Sequence, residues 1–222
     1  MSQTKERIPL HAARAEAERL MLLVGEHRTD HWTVAGSIRR ELENVGDIEH
    51  VVIPRIGSVQ VAREVTEGIG MFATTSTQTQ TIDNVNLLWH RLDELLEAGT
   101  IEKARRADGA TCWGNSQRAL MLGGIRHEFY TATIDNLGPV TAIRTGPGDL
   151  SQHLVTVMKV AGYQCRNGFH VYPLGSDEKL SVPDEEEFFK ICRVRFVLPR
   201  ERDLLWRAIQ RANWKEREAS RR

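Results

Sequence analysis

Gly36-Ser-Ile-Arg-Arg-Glu-Leu-Glu-Asn-Val-Gly-Asp-Ile-Glu49 brings three kinds of chemistry into one short segment. It opens on a glycine–serine turn that follows Trp32-Thr-Val-Ala35, which reads as a short strand. A turn of this kind at a helix start presents backbone N–H groups and a hydroxyl to a phosphate. Arg39 and Arg40 come next and suit the neutralisation of a polyphosphate. Asp47 and Glu49 close the segment where a second strand, Ile48–Pro54, begins. Side chains alternate across a strand, so these two carboxylates share a face and can share a divalent ion. Two hard oxygen ligands beside an open position suit Mg²⁺ or Mn²⁺, which keep water and phosphate as further ligands. An isolated Asp-x-Glu pair is common at strand edges. A phosphate cradle, a basic pair and an acid pair in one order are a different matter.

Working outward, Pro9 opens a helical pattern in its first turn, with Ala12, Ala13, Ala17, Leu20, Leu23 and Val24 as the apolar stripe. From Arg55 to Gln80 the periodicity fades through Gly57, Gly68, Gly70 and a Thr/Ser/Gln-rich stretch. This predicts a long loop, or a hairpin with a flexible tip. Asp83 or Asn84 is the expected cap of a helix over 85–98, which Gly99 stops. Strands are expected over 101–105, 117–122 and 126–132. Beyond Gly146-Pro-Gly148 the pattern gives a helix over 150–161, short strands over 164–171 and 179–182, and helices over 184–192 and 204–217. The order describes an α+β protein in two parts: residues 1–144 with a mixed sheet, and a smaller α+β part, 145–222.

Bulk properties narrow the class. With 41% hydrophobic and 27% charged residues, the composition is that of an ordinary globular protein. The longest apolar run in the N-terminal half, Leu20–Val24, is far too short to span a bilayer, so no membrane association is expected. Cys112, Cys165 and Cys192 are widely spaced and lack CxxC pairing. A reducing cytoplasm is therefore expected, rather than a disulfide scaffold or structural zinc site. From Arg193 onward ten Lys/Arg face four Asp/Glu, so this end carries +6 and the rest −6 of a net zero charge. A basic end beside an acidic segment suits polyanion handling, although the run alone is equally a solvated helix face.

The layout Gly-Ser-x-Arg-Arg, five residues, then Gly-Asp-Ile-Glu resembles the DNA polymerase beta-like (family X) nucleotidyltransferases, whose usual form is G-S-x-R-R-G…G-D-[IM]-D. Gly36, Ser37, Arg39, Arg40, Gly46 and Asp47 match at the expected spacing. Glu41 stands for the usual glycine, and Glu49 for the second aspartate with its carboxylate one methylene further out. The family places a third carboxylate on a neighbouring strand, and Gly124-Ile-Arg-His-Glu-Phe-Tyr130 aligns there with Glu128. Ile143-Arg-Thr-Gly-Pro-Gly-Asp-Leu-Ser151 is similar to the Tyr-Phe-Thr-Gly-Ser segment that holds the incoming sugar and base edge; Ser151 stands at the usual asparagine. Glu185–Arg202 resembles the closing pattern E-E-x-[VIL]-F, short strand, P-x-x-R. Together these motifs span about Ile8 to Arg202, most like small phage-type members with little beyond the catalytic core.

The resemblance implies a palm-like mixed sheet flanked by helices and a metal-dependent nucleotidyl transfer. Asp47, Glu49 and Glu128 would be catalytic and hold two ions, Mg²⁺ or Mn²⁺. Gly36, Ser37, Arg40, Gly46, Arg144, Thr145, Gly146 and Ser151 would bind a nucleoside triphosphate. The implied acceptor is a DNA 3′-hydroxyl, and the implied protein a monomer in the cytoplasm, the host's if phage-encoded. Neither a lyase-type N-terminal domain nor a helix-hairpin-helix clamp is expected. Ile143-Arg144 replaces the aromatic pair that guards the sugar 2′ position, which leaves ribo- against deoxynucleotide preference open. Other readings are a degenerate nucleotide- or DNA-binding module of the same fold, and transfer to a protein or small molecule. His127 is expected to face away from Glu128, and Trp113 beside Arg118 to pack in the core rather than present a base platform.

Overall fold

The computed structural model describes residues 7–67 and 74–219. Its first half runs β1 (Ile8–Pro9), α1 (Leu10–Val24), β2 (Thr29–Val34), α2 (Gly36–Arg39), β3 (Asn44–Val45), β4 (Ile48–Pro54), β5 (Ile56–Glu67), β6 (Thr74–Asn86) and α3 (Leu87–Glu97). There follow β7 (Glu102–Lys103), β8 (Gln117–Leu122), β9 (Ile125–Thr131), α4 (Leu137–Thr145), α5 (Gly148–Val160), β10 (Tyr163–Arg166), β11 (His170–Pro173), α6 (Glu185–Ile191) and α7 (Arg202–Ala219). The protein is α+β. Its main sheet is mixed, in the order β2-β4-β9-β8-β7, with β4 and β9 parallel and the other neighbours antiparallel.

Alternation along β4 and β9 gives this sheet two different faces. Val52 and Phe129 point to one, where α1 and α3 bury Leu20, Val24, Leu88, Leu92 and Leu95 against them. Each such leucine contributes roughly 1.5–3 kcal/mol on burial, so this side holds the larger apolar core. Val51 and Tyr130 point to the other face and pack with Ala35, Ala132 and Val140 of α4. Glu49 and Glu128 share that second face by the same alternation. A separate core joins Ala142 of α4 to Leu150, Leu154, Met158, Val171, Val182, Phe188, Phe189 and Cys192. The expected division at 144/145 thus falls at the carboxyl end of a helix that packs into both parts.

Several local expectations shift. Pro9 lies just outside α1 and pairs with Asn44 in a two-residue ladder, because a short strand costs Pro no bond at its edge. The stretch 55–80 takes the second of its two expected forms, a hairpin, with 56–67 in β5 and 74–80 in β6, while Gly68 and Gly70 lie outside the described residues. That hairpin extends through Asp83 and Asn84, so the cap of α3 is Asn86, whose Oδ1 accepts Trp89 N–H at 2.9 Å. The segment 179–182 contributes one bridge, Leu180 to Val171, rather than a strand. Helix α4 is absent from the sequence expectations because Gly138-Pro139 reads as a breaker. Pro139 instead occupies the first turn, where its missing N–H costs nothing, and Gly138 is required because a Cβ there would collide with Asp184 O. Among the described residues no helix is long and apolar enough to cross a membrane.

Candidate active site

The turn after β2 is shaped around a carboxylate. Gly36 has φ 64°, in the region that favours glycine, and a Cβ on it would overlap Glu49 Oε2. The backbone beside it is pinned by Ala35 N–H to Glu49 O at 2.8 Å. Ser37 lies in α2 directly after Gly36, and Gly46 directly precedes Asp47. The helix ends in a Schellman turn, with Glu41 N–H to Ile38 O and Leu42 N–H to Ser37 O, both 3.0 Å. Glu41 therefore sits at the left-handed position, φ 60°, that such turns usually give to glycine.

Parallel pairing of β4 with β9 sets Glu49 directly opposite Glu128, and Asp47 immediately precedes β4. Burial pushes the Glu49 carboxyl up to about 7, the Asp47 and Glu128 charges add to it, and Arg144 and Arg40 oppose it. Four charged groups therefore act on the one Glu49 carboxyl. Glu128 Oε1 accepts Arg126 Nε at 2.6 Å, and Oε2 accepts the Tyr130 hydroxyl. Burial and that bond hold the Tyr130 phenol above its ordinary range. The Arg144 guanidinium lies 3.6 Å over the Tyr130 ring and 5.4 Å from the Phe169 ring. Three carboxylates whose charges repel one another form the donor chemistry that a hard divalent cation suits. Among the described residues no three acid, histidine or cysteine groups form a ready ion shell, and Glu128 is engaged by Arg126 and Tyr130.

The arginine pair is more constrained than its sequence suggests. Arg39 donates to Thr145 Oγ1 at 2.8 Å and grips Glu185 with two bonds of 2.8 and 2.5 Å. Arg40 pairs with Asp203 at 3.0 Å and donates to Thr145 O. Gly146, φ 73°, leaves the space Arg40 uses; a Cβ there would come 2.8 Å from Arg40 Nη1. Glu185 also accepts from the fully buried Arg202 at 2.8 Å. Burial raises the Glu185 pKa, but the Arg39 hydrogen bond and the Arg202 charge outweigh it and hold the carboxyl below its ordinary range. Ser151 is buried and its hydroxyl bonds Ile143 O at 2.8 Å, with Pro147 O at 3.3 Å, so it fastens α5 to α4.

The structure thus gathers Gly36, Arg40, Asp47, Glu49, Glu128 and Arg144 around the carboxylates, with Thr145 and Gly146 behind Arg40. Ser151 serves helix packing. Tyr130, Arg126 and Asp203 have no role in the sequence motifs, and Glu185 enters them only as the start of the closing pattern. Tyr130 was findable, because it lies two residues beyond Glu128 and so shares its face. The partners of Arg39 and Arg40 come from residues more than a hundred positions away and leave no local signal.

Behind the acids, on the opposite sheet face, Trp32 Nε1–H donates to His50 Nδ1 and His50 Nε2 meets His127 Nδ1, each at 3.0 Å. With His50 Nδ1 as acceptor, Nε2 carries the proton and donates to His127, so both rings are neutral. Burial holds His50 well below its usual pKa and His127 at about 4. His127 accordingly faces away from Glu128. Arg118 lies between Trp89 and Trp113, 4.8 and 4.7 Å from their centroids, and Trp113 Nε1–H bonds Asp93 at 2.8 Å. Trp113 is therefore a packing residue in this arrangement. No family model matches the chain, and no curated protein matches it either.

Proposed function

We propose that this protein is a metal-dependent nucleotidyltransferase of the polymerase beta-like kind, with residues 1–144 as its palm. It joins a nucleotide from a triphosphate to a nucleic-acid 3′-hydroxyl and releases pyrophosphate. The observation that carries this reading is the register of β4 and β9, which sets Glu49 opposite Glu128, with Asp47 just before β4 and the charges of Arg144 and Arg40 acting on Glu49. Asp47, Glu49 and Glu128 would hold Mg²⁺ or Mn²⁺, two ions in all. When bound, such ions help ionise an attacking hydroxyl and neutralise phosphate charge. Gly36 keeps room for Glu49, and Arg144 and Arg40 supply positive charge where the triphosphate would lie. In the transfer the 3′-oxygen bonds the α-phosphorus, the bond from that phosphorus to the β-phosphate bridging oxygen breaks, and the hydroxyl proton is lost.

Arg207 and Arg211 lie exposed on α7 and suit a nucleic-acid acceptor. A cytoplasmic monomer acting on DNA completes the reading. A second reading, a nucleotide- or DNA-binding module without turnover, draws on the engagement of Glu128 by Arg126 and Tyr130. Extension of labelled single-stranded, recessed and one-nucleotide-gapped primers in Mg²⁺ or Mn²⁺ separates the two. The enzyme reading expects product on at least one acceptor, reduced about 10²–10³-fold or more by Asp47→Ala. Undiminished incorporation by Asp47→Ala overturns the site assignment, and nucleotide binding without product selects the module.

A further inference from the structure

One interaction at the site is not required by the sequence motifs. Tyr130 and Glu128 project from the same face of β9, two residues apart, and the phenol hydroxyl donates to Glu128 Oε2. The ring below that hydroxyl is not loose. Arg144 stacks 3.6 Å above it and also faces Phe169. Phe169 is delivered by a turn in which Asn167, Gly168 and Phe169 all have positive φ, at 49°, 80° and 70°. Asn136 Nδ2–H holds that turn by donating to Gly168 O at 2.8 Å. The other Glu128 oxygen is held by Arg126, which also donates to Arg105 O at 3.0 Å.

We propose that Tyr130 is a positioning residue that clasps Glu128 in the metal-free protein, so that a divalent ion gains this third carboxylate only by displacing the phenol hydroxyl. The inference rests on the nucleotidyltransferase reading and deepens it. A carboxylate oxygen that accepts an O–H bond has part of its charge and one lone pair committed, and an ion must compete for both. Arg144 makes the clasp sensitive to the nucleotide. While stacked, its guanidinium fixes the ring and so the hydroxyl. If it turns towards a triphosphate, the ring loses that support and Glu128 is released to the metal. Metal and nucleotide would then bind with positive coupling, because each displaces part of the same assembly.

The test uses the full chain and Mn²⁺ as the probe, with free Mn²⁺ read by electron paramagnetic resonance. Tyr130→Phe keeps the ring and its stacking and removes only the hydroxyl. It should bind Mn²⁺ about three- to tenfold more tightly than the wild type, the size expected for loss of one competing hydrogen bond. It should also weaken the enhancement of Mn²⁺ binding by a non-hydrolysable triphosphate. In a Glu128→Gln background Tyr130→Phe should have no effect on Mn²⁺, which a general loosening of the fold would not reproduce. Thermal melting verifies that each variant is folded; should Tyr130→Phe melt early, Arg126→Gln removes the bond to the other Glu128 oxygen and carries the same expectation. Unchanged or weaker Mn²⁺ binding by these variants, with the wild type binding normally, overturns the clasp and leaves the nucleotidyltransferase reading standing. Absence of Mn²⁺ binding in the wild type overturns both.

Discussion

At the scale of single residues, Glu49 sets how the site responds to pH. Its carboxyl is raised from 4.5 to about 7 by burial and by the Asp47 and Glu128 charges. The folded, metal-free protein therefore holds a proton there that the unfolded chain has lost, and this contribution to stability is present below about 4.5 and disappears as pH rises through 7. A divalent ion reverses the preference, since it needs the carboxylate and must expel the proton. Mn²⁺ affinity is accordingly expected to rise about tenfold between pH 6 and pH 8. Titrations at pH 6, 7 and 8 check this: Glu49→Gln should bind less tightly with a flatter profile, and a flat wild-type profile would remove Glu49 from the ion site. Glu49 was legible because strand alternation is local, whereas Glu128 entered only through the family resemblance and is set opposite Glu49 by the register of β4 and β9. What Arg39 and Arg40 bind was not legible. Their charge suggested a triphosphate, whereas the fold gives Arg39 to Glu185 and Thr145, and ties Arg40 to Asp203 and Thr145.

Among the elements, α2 shows most directly how local geometry serves the site. It is four residues long and closes in a Schellman turn whose left-handed position is held by Glu41, φ 60°. A non-glycine residue there costs about 1–2 kcal/mol. The exposed pairing of Glu41 with Arg14, at 3.6 Å, offsets little of that cost. Glu41→Gly is therefore expected to stabilise the protein by about 1 kcal/mol, or about 2–4 °C in melting temperature. Calorimetry decides it, and a lower melting temperature would mean that Glu41 contributes through an interaction other than its backbone. Long strands with clean alternation, β4, β8 and β9, were readable to within a residue or so. Helix α4 was not, because Gly138 and Pro139 are breakers in isolation and become acceptable only when the first helical turn and the approach of Asp184 O are known.

For the whole molecule, the two parts are joined by charge as much as by apolar contact. Glu185 lies between Arg39 of α2 and the fully buried Arg202 of α7, so one carboxylate binds guanidinium groups from both parts of the chain. Removing it leaves a buried guanidinium unpaired, and Glu185→Ala should cost about 3–5 kcal/mol in urea unfolding. Glu185→Gln should lie between the two, and a cost below about 1 kcal/mol in the alanine variant would show that the cluster does not hold the parts together. The α+β class was readable from periodicity, whereas the Glu185 cluster depends on side chains brought together only by the complete fold. Asp47, Glu49 and Glu128 are proposed to form one centre for nucleotidyl transfer. This is tested most directly by counting α-phosphate label transferred from a deoxynucleoside triphosphate to a primer 3′-end, alongside pyrophosphate release, for wild type, Glu49→Gln and Glu128→Gln. Equimolar product and pyrophosphate that require Mg²⁺ or Mn²⁺ are expected of the wild type, and a loss of about 100-fold or more of each folded variant. Transfer by either variant at the wild-type rate, or no transfer by the wild type with either metal on any primer, would contradict it.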